Sequence, residues 1–412
     1  ADAYAAKRFD CSGTRSFDER TGYRSQSFLT VPMRNHEGEI IGVLQLINAH
    51  MPKHDVVVPF SEADQRLAES LASQAAIALT NRQLLRQLEV LFESFIQLIN
   101  SAIDDKSPYT GEHCQRVPEL TMMLAEAAHE TTEGPLADFR LTDRDRYELR
   151  IAALLHDCGK VTTPVHVVDK ATKLQTIFDR IELIDTRFEL LRRDAEIRML
   201  RQIAQGAPKE QAEAEFREFE AKMAVDRNFL RASNVGSERM SDDDIERVKA
   251  ISGSYRWRNA AGEEADFLSA DELENLTIRA GTLTQAERQT INYHVSATIK
   301  MLEQLPWPKH LKNVPEYAGG HHERMDGKGY PRGLKREEMS WQARMMGIAD
   351  IFEALTAGDR PYKDAMTLSQ ALDILDKFRH NGHIDPDLHD VFVNSEIYRK
   401  YAAEFLDAKQ VD

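Results

Sequence analysis

The chain of 412 residues is 42% hydrophobic and 29% charged, with a formal net charge of −15, a composition that supports two or three globular domains and excludes a disordered or fibrous protein. No apolar run reaches the roughly 18 residues that cross a bilayer, and the N-terminus lacks a basic-then-apolar secretory signal, so a cytoplasmic protein with no membrane partner is expected. The acidic balance argues against DNA or RNA as a partner, because phosphate neutralisation needs a basic surface, but it leaves room for a small phosphorylated ligand held where cations cluster locally.

From Phe28 to Asn48 the sequence FLTVPMRNHEGEIIGVLQLIN reads as two strands joined by a turn at Glu37-Gly38. The period then changes. Ser61 suits a helix N-cap, with Asp64 three residues on, and Leu67, Leu71, Ala75, Ala78 and Leu79 recur at helical spacing. The pattern continues through Leu84, Leu88, Leu91, Phe92, Phe95 and Leu98 without a Gly or Pro, which predicts a coiled-coil connector and hence a homodimer through this helix. The run RTGYRSQSFLTVPMRNHEGEIIGVLQLIN resembles the second half of a GAF domain, a small-ligand sensor built on an antiparallel sheet. The segment before the helix is short for such a domain, so its first half is expected to be missing; it is either a ligand sensor or a small α/β cap without a ligand.

Helical patterns dominate from Ala102 to Cys158, including CQRVPELTMMLAEAAHE and DRYELRIAALLHDCGK. Between Leu174 and about Ala280 the sequence becomes dense in Arg, Glu, Asp, Ala and Leu. It reads as an antiparallel pair of charged helices broken near Gly206-Ala207-Pro208, with a solvated face and no chemistry assigned to it.

Several of the 14 histidines sit beside carboxylates at the ends of apolar helical runs. LLHDCGK supplies His156 and Asp157, with Lys160 three residues on; GGHHERMDGKGYP supplies His321, His322 and Glu323; His113, His294 and Asp350 complete the set. So much polar function at the end of an apolar helix is costly without a partner. Imidazole and carboxylate together suit Fe, Mn, Zn, Ni or Co. Five His and two Asp exceed what one tetrahedral zinc needs and suffice for two octahedral ions with positions left for water or substrate. Asp157 is the candidate bridge, and a hydroxide held between two such ions could attack a phosphodiester without a side-chain nucleophile. His36, His50, His54, His129, His166, His310, His380, His383 and His389 are given no role. The cysteines Cys11, Cys114 and Cys158, odd in number and without CxxC spacing, read as free thiols, Cys158 as buried rather than reactive.

His156-Asp157 with the remote His113 and Asp350 resembles the HD phosphohydrolase superfamily, an all-helical fold. The window from His321 to Pro331, with HHE, DG and GYP in register, resembles the HD-GYP subfamily of cyclic di-GMP phosphodiesterases in particular. The resemblance implies ligation of two divalent metal ions, Fe or Mn preferred and Zn or Ni possible, by His113, His156, Asp157, His294, His321, His322 and Asp350. It implies that Asp157 and Lys160 act in catalysis, with Lys160 on the substrate phosphate. Gly329, Tyr330 and Pro331 would shape the wall near the metals and a surface for a signalling partner. Arg360 and Lys363 correspond to basic positions for the far phosphate. Tyr109 stands where some members place a Glu that holds a third metal, which favours two ions.

The expected fold is mainly α: an all-helical HD-type catalytic domain over 102–412 with a charged helical insertion at about 175–280. VDKATKL and RAGTLTQAE are the two ends that the insertion separates, and its helices could cover or rim the site. A helical connector over 81–101 joins the domain to a small α/β segment over 1–80. The expected activity is hydrolysis of cyclic di-GMP or 3′,3′-cyclic GMP-AMP to the linear dinucleotide, with further cleavage to mononucleotides. The alternatives are a cyclic-dinucleotide receptor with little turnover and an HD phosphohydrolase of nucleoside phosphates.

Overall fold

A computed structural model describes residues 3–5, 10–51, 56–106, 113–236, 239–358 and 365–412. His54, Tyr109, Arg360 and Lys363 lie outside them. The chain divides into two compact units, residues 1–95 and 96–412. Among the described residues no helix is long and apolar enough to cross a membrane.

In the first unit, α1 (Ser12–Thr21) precedes an antiparallel hairpin of β1 (Phe28–Arg34) and β2 (Ile40–Ile47), and a short pair of β3 (Ala49–His50) with β4 (Val57–Val58) follows. The β1–β2 turn forms because Asn35 Oδ1 accepts the amides of Glu37 and Glu39 at 3.0 and 2.9 Å while Gly38 takes φ +82°, open to glycine at no steric cost. The next element, α2 (Glu62–Asp104), is 43 residues long. Ser61 opens it as a cap, accepting the Asp64 amide while Asp64 accepts the Ser61 amide. Ala68, Ala72 and Ala76, four apart and fully buried, present a face of methyl groups to Val31 and Met33.

The second unit is helical. α3 (His113–Glu130), α4 (Asp143–Leu155), α5 (Val165–Val168), α10 (Gln285–Glu303), α11 (Val314–Gly319) and α12 (Trp341–Thr356) surround the candidate site, and α13 (Leu368–His380), α14 (Pro386–Asn394) and α15 (Ile397–Phe405) close the bundle. Leu120 and Leu124 of α3, Ile151 of α4, Met345 and Phe352 of α12 and Phe392 of α14 are buried and form its core. Reciprocal Thr142–Asp145 and Thr284–Glu287 capping boxes start α4 and α10, devices worth about 1 kcal/mol each.

The insertion is more than the expected hairpin. α6 (Ile181–Ala204) and α7 (Lys209–Asn234) do turn back at Gly206, but α8 (Asp242–Ser254), the β5–β6 pair (Arg256–Arg258 with Glu264–Asp266) and α9 (Ala270–Leu276) pack on them. Together they enclose a core of their own that includes Phe188, Leu230, Val248, Tyr255 and Phe267. At its base the two interrupted ends are joined: Lys170 Nζ reaches Glu287 at 2.7 Å and Asn275 at 2.8 Å, and Thr282 Oγ1 donates to the Lys170 carbonyl at 2.9 Å. Thus 170–174 and 275–287 meet as neighbours, and the module between them is an outgrowth from one point of the bundle.

Candidate metal centre

Five parts of the helical unit converge on one place. His113 opens α3, His156 and Asp157 follow the last turn of α4, His294 lies within α10, His321 and His322 follow α11, and Asp350 lies within α12. Long-range contacts fix each part. Buried Glu148 of α4 accepts the amide and the Nδ2 of Asn313 at 2.6 and 3.1 Å, which sets the start of α11 and so the approach of His321 and His322. The 3₁₀ turn Cys158–Thr162 lies flat on α10: Gly159 N donates to Thr298 Oγ1 at 2.9 Å, and a Cβ on Gly159 would stand 2.0 Å from the His294 carbonyl oxygen. Only glycine permits that approach.

Three histidines are oriented in the same way. His156, His294 and His321 each point Nδ1 at the carbonyl three residues earlier, at 2.6, 2.5 and 2.6 Å. A carbonyl can only accept, so Nδ1 carries the proton and Nε2 offers a lone pair. For His113 the Nδ1 partner is Glu353 Oε2 at 2.5 Å, and Glu353 is held in turn by Arg116 Nε at 2.7 Å.

The Nε2 lone pairs face one another and the carboxylates. His113 Nε2 is 3.3 Å from His156 Nε2, 3.2 Å from Asp157 Oδ2 and 3.3 Å from Asp350 Oδ1. On the other side of Asp157, Oδ1 is 3.3 Å from His294 Nε2 and 4.0 Å from His321 Nε2. Asp157 Oδ1, His294 Nε2 and His321 Nε2 are buried with no hydrogen-bond donor. Lone pairs this close and this dry repel unless a cation lies among them. The described residues contain three groups with metal-ligand spacing: His113, His156 and Asp350; His156, Asp157 and His321; and His294, His321 and His322. The donor set therefore fits divalent cations of the imidazole-and-carboxylate class.

The electrostatics express the same demand for positive charge. Burial opposes ionisation of His113, but Glu353, Asp157 and Asp350 around it hold it well above the usual histidine range. Burial likewise opposes the Asp157 charge, but the Lys160 ammonium and His156 hold its carboxyl well below the usual range. Asp350 is held well below it too, against burial, by His113 and His322. Glu353 is held at about 2, again against burial, by His113 and Arg116. Burial pushes His322 down to about 4, and burial with the neighbouring His322 and His156 takes His321 well below the usual range, as expected of imidazoles that offer lone pairs rather than protons.

All seven residues expected as ligands come together, and Lys160 lies with them, its Nζ in ion contact with Asp157 Oδ2. Gly329 and Tyr330 line an adjacent cavity of about 430 Å³, with His322, Arg324, Lys328, Asp350 and His383 also in its wall. Pro331 is exposed beside it. Tyr330 stacks on His322 with ring centres 4.9 Å apart. A Cβ on Gly329 would meet Arg324 N at 2.4 Å, so this loop closes only on glycine.

Sequence reasoning gave no role to four participants, although Glu323 stood in the His-His-Glu motif. Glu353 and Arg116 orient His113; Glu323 accepts the Arg332 and Leu334 amides at 2.7 and 2.9 Å and thereby shapes the loop around Tyr330; His383, left without a role, enters the cavity wall. Glu353 had a readable signal, an acid three residues after Asp350 in the apolar run MMGIADIFEAL. His383 had none.

A helical bundle with adjacent His and Asp at its centre defines an HD-domain protein. Known sequences agree: the HD domain matches residues 110–223 and, in a second description of the domain, 270–388, and a GAF domain matches residues 4–79. Within that class the intact window from His321 to Pro331 resembles the HD-GYP type, and the relatives that the chain matches over part of their length carry cyclic-dinucleotide phosphodiesterase names. The chain is 36% identical over 146 residues to a 3′3′-cGAMP-specific phosphodiesterase of Vibrio cholerae (35% of this chain, 31% of the relative). It is 35% identical over 117 residues to a cyclic di-GMP phosphodiesterase of Pseudomonas aeruginosa (28% and 27%), and 35% identical over 98 residues to a cyclic di-GMP phosphodiesterase of Thermotoga maritima (24% and 26%). The matched segments span about a third or less of the length of these relatives.

Proposed function

We propose that this protein is a metal-dependent phosphodiesterase that opens a cyclic dinucleotide, cyclic di-GMP or 3′,3′-cyclic GMP-AMP, to the linear dinucleotide. The observation that carries the reading is Asp157, whose two oxygens face two separate histidine groups, the placement of a bridging ligand. His113, His156 and Asp350 would hold one divalent cation and His294, His321 and His322 the other, with Asp157 between them; Fe or Mn is preferred, and Zn or Ni can occupy the same donors. Bound there, the cations supply Lewis acidity that favours attack of water on phosphorus and neutralises charge on the leaving oxygen.

The rest falls to the chain. Lys160, half-buried beside Asp157, contributes an ammonium to a phosphate oxygen. Arg324 and Lys328 give the cavity positive charge for a second phosphate, and the Tyr330 ring offers a face on which a base can stack. Pro331, Lys328 and Arg332 are exposed at the rim, where a signalling partner could dock. Water adds to phosphorus, one P–O ester bond breaks, and the leaving 3′ oxygen takes a proton. Relatives named for both nucleotides support the substrate class. The test is a product assay on both cyclic dinucleotides with metal-replete protein, with a His156→Ala, Asp157→Ala variant as control. Absence of linear product from either substrate sinks the proposal.

The dimer belongs to the same reading. Ile77, Leu84, Leu88, Leu91, Phe95 and Leu98 of α2 are each at least 45% exposed and, with Asn81 between the first two, recur alternately four and three apart, Asn81 occupying the position where a buried Asn sets register. A second copy of α2 is the partner this stripe fits. Sedimentation of the full chain as a monomer at micromolar concentration would refute it.

A further inference from the structure

The C-terminal end of α2 grips the segment that presents Asp157 and Lys160. Asn100, 6% exposed, donates Nδ2 to the carbonyl of Leu154 at 2.9 Å, in the last turn of α4 two residues before His156. Ile103 is buried a turn further on. Lys106, just past the helix, donates Nζ to the carbonyls of Lys160 and Val161 at 3.2 and 2.6 Å. These carbonyls lie in the 3₁₀ turn Cys158–Thr162; the Lys160 carbonyl also accepts the Thr163 amide at 3.0 Å, so the Lys106 ammonium adds a second donor to it and a charged donor to the Val161 carbonyl at the end of the turn. The opposite side of the turn is fixed to α10 through Gly159 and Thr298. The backbone of Lys160 is thus held between α10 and the end of α2, and its Nζ is aimed by both.

We propose that Asn100 and Lys106 are positioning residues for the reaction: through them the end of α2 sets where Lys160 stands against the substrate phosphate, so that a change in this helix alters turnover without altering the metal donors. Neither side chain bonds to any of the seven candidate ligand side chains or enters the substrate cavity wall, so each acts through the backbone it holds. The inference rests on the phosphodiesterase reading for its kinetic consequence, while the grip itself is a matter of backbone order.

The test uses the full, metal-replete chain. Lys106→Met keeps the apolar stem and removes the donors, Lys106→Arg keeps a cation, and Asn100→Leu probes the second contact and stands in should Lys106→Met not fold. For Lys106→Met and Asn100→Leu we expect kcat on cyclic di-GMP to fall about tenfold or more, since displacement by about 1 Å can cost a hundredfold. KM and metal content should stay unchanged, amide exchange over residues 157–163 should quicken, and Lys106→Arg should recover most of the rate. Unchanged kcat and exchange in both variants overturn the inference. Metal lost in proportion to rate overturns it as well, because that is a structural role. If the wild-type chain hydrolyses neither nucleotide, the phosphodiesterase reading falls, and the exchange at 157–163 alone decides the inference: faster in the variants supports it, unchanged refutes it.

Discussion

Gly159→Ala should dismantle the site without touching a single proposed ligand. The new Cβ would lie 2.0 Å from the His294 carbonyl oxygen and 2.6 Å from Thr298 N, both backbone atoms of α10, where ordinary contact begins at 3.4 Å. Relief requires the 158–162 turn to retreat from α10 by about 1.4 Å. Asp157 immediately precedes that turn, and its Oδ1 now stands 3.3 Å from His294 Nε2. The retreat would break the geometry that lets one carboxylate serve both histidine groups. Overpacking of this kind costs about 1–3 kcal/mol of stability, and a misplacement of about 1 Å costs on the order of a hundredfold in rate. The assay is metal content by mass spectrometry, hydrolysis of cyclic di-GMP and thermal melting on one preparation. A folded variant that retains full metal and wild-type turnover would refute the reasoning, since the two closest atoms are backbone and cannot swing aside as a side chain would.

Glu353→Gln should keep an acceptor for Arg116 but remove the charge that orients His113, lowering metal affinity about 10- to 100-fold; chelator competition measures it, and unchanged affinity contradicts the role. Lys160→Ala is expected to keep its metal and lose turnover, and metal lost together with activity would show that the lysine organises the centre rather than the substrate. Lys173, 1% exposed, bonds among the described residues to two neutral acceptors, the Leu276 carbonyl and Met240 Sδ, and burial depresses its ammonium to about 8. Because the unfolded chain binds the proton more tightly, stability should rise with pH between about 8 and the ordinary lysine value of 10.5, with the penalty fully present below pH 8. Lys173→Met should therefore resist urea better than wild type at pH 7, and the gap should close towards pH 10.5; a gap independent of pH contradicts this.

Local chemistry made part of the architecture readable in advance. Glu37-Gly38 marks a turn whose Gly38 does take a positive φ, and Ser61 with Asp64 marks the start of a helix that runs on for 43 residues. His156-Asp157 and His321-His322 stood out because adjacent polar groups in apolar surroundings need a common partner. What stayed hidden depends on contacts between distant positions. Glu353 meets His113 across 240 residues, and Glu323 matters only once the loop after it has folded back. The core of the insertion escaped notice because its apolar residues are dispersed through charged helices, although Ser241 with Asp244 and Ser269 with Glu272 mark two further helix starts.

The claim on which the rest depends is that Asp157 joins two cation sites. Anomalous diffraction from crystals of metal-replete protein, collected on either side of the absorption edge, tests it most directly. The account predicts two peaks about 3.5–4 Å apart, one beside His113, His156 and Asp350, the other beside His294, His321 and His322. A single peak, or peaks away from Asp157 in protein shown to be fully loaded, would contradict it.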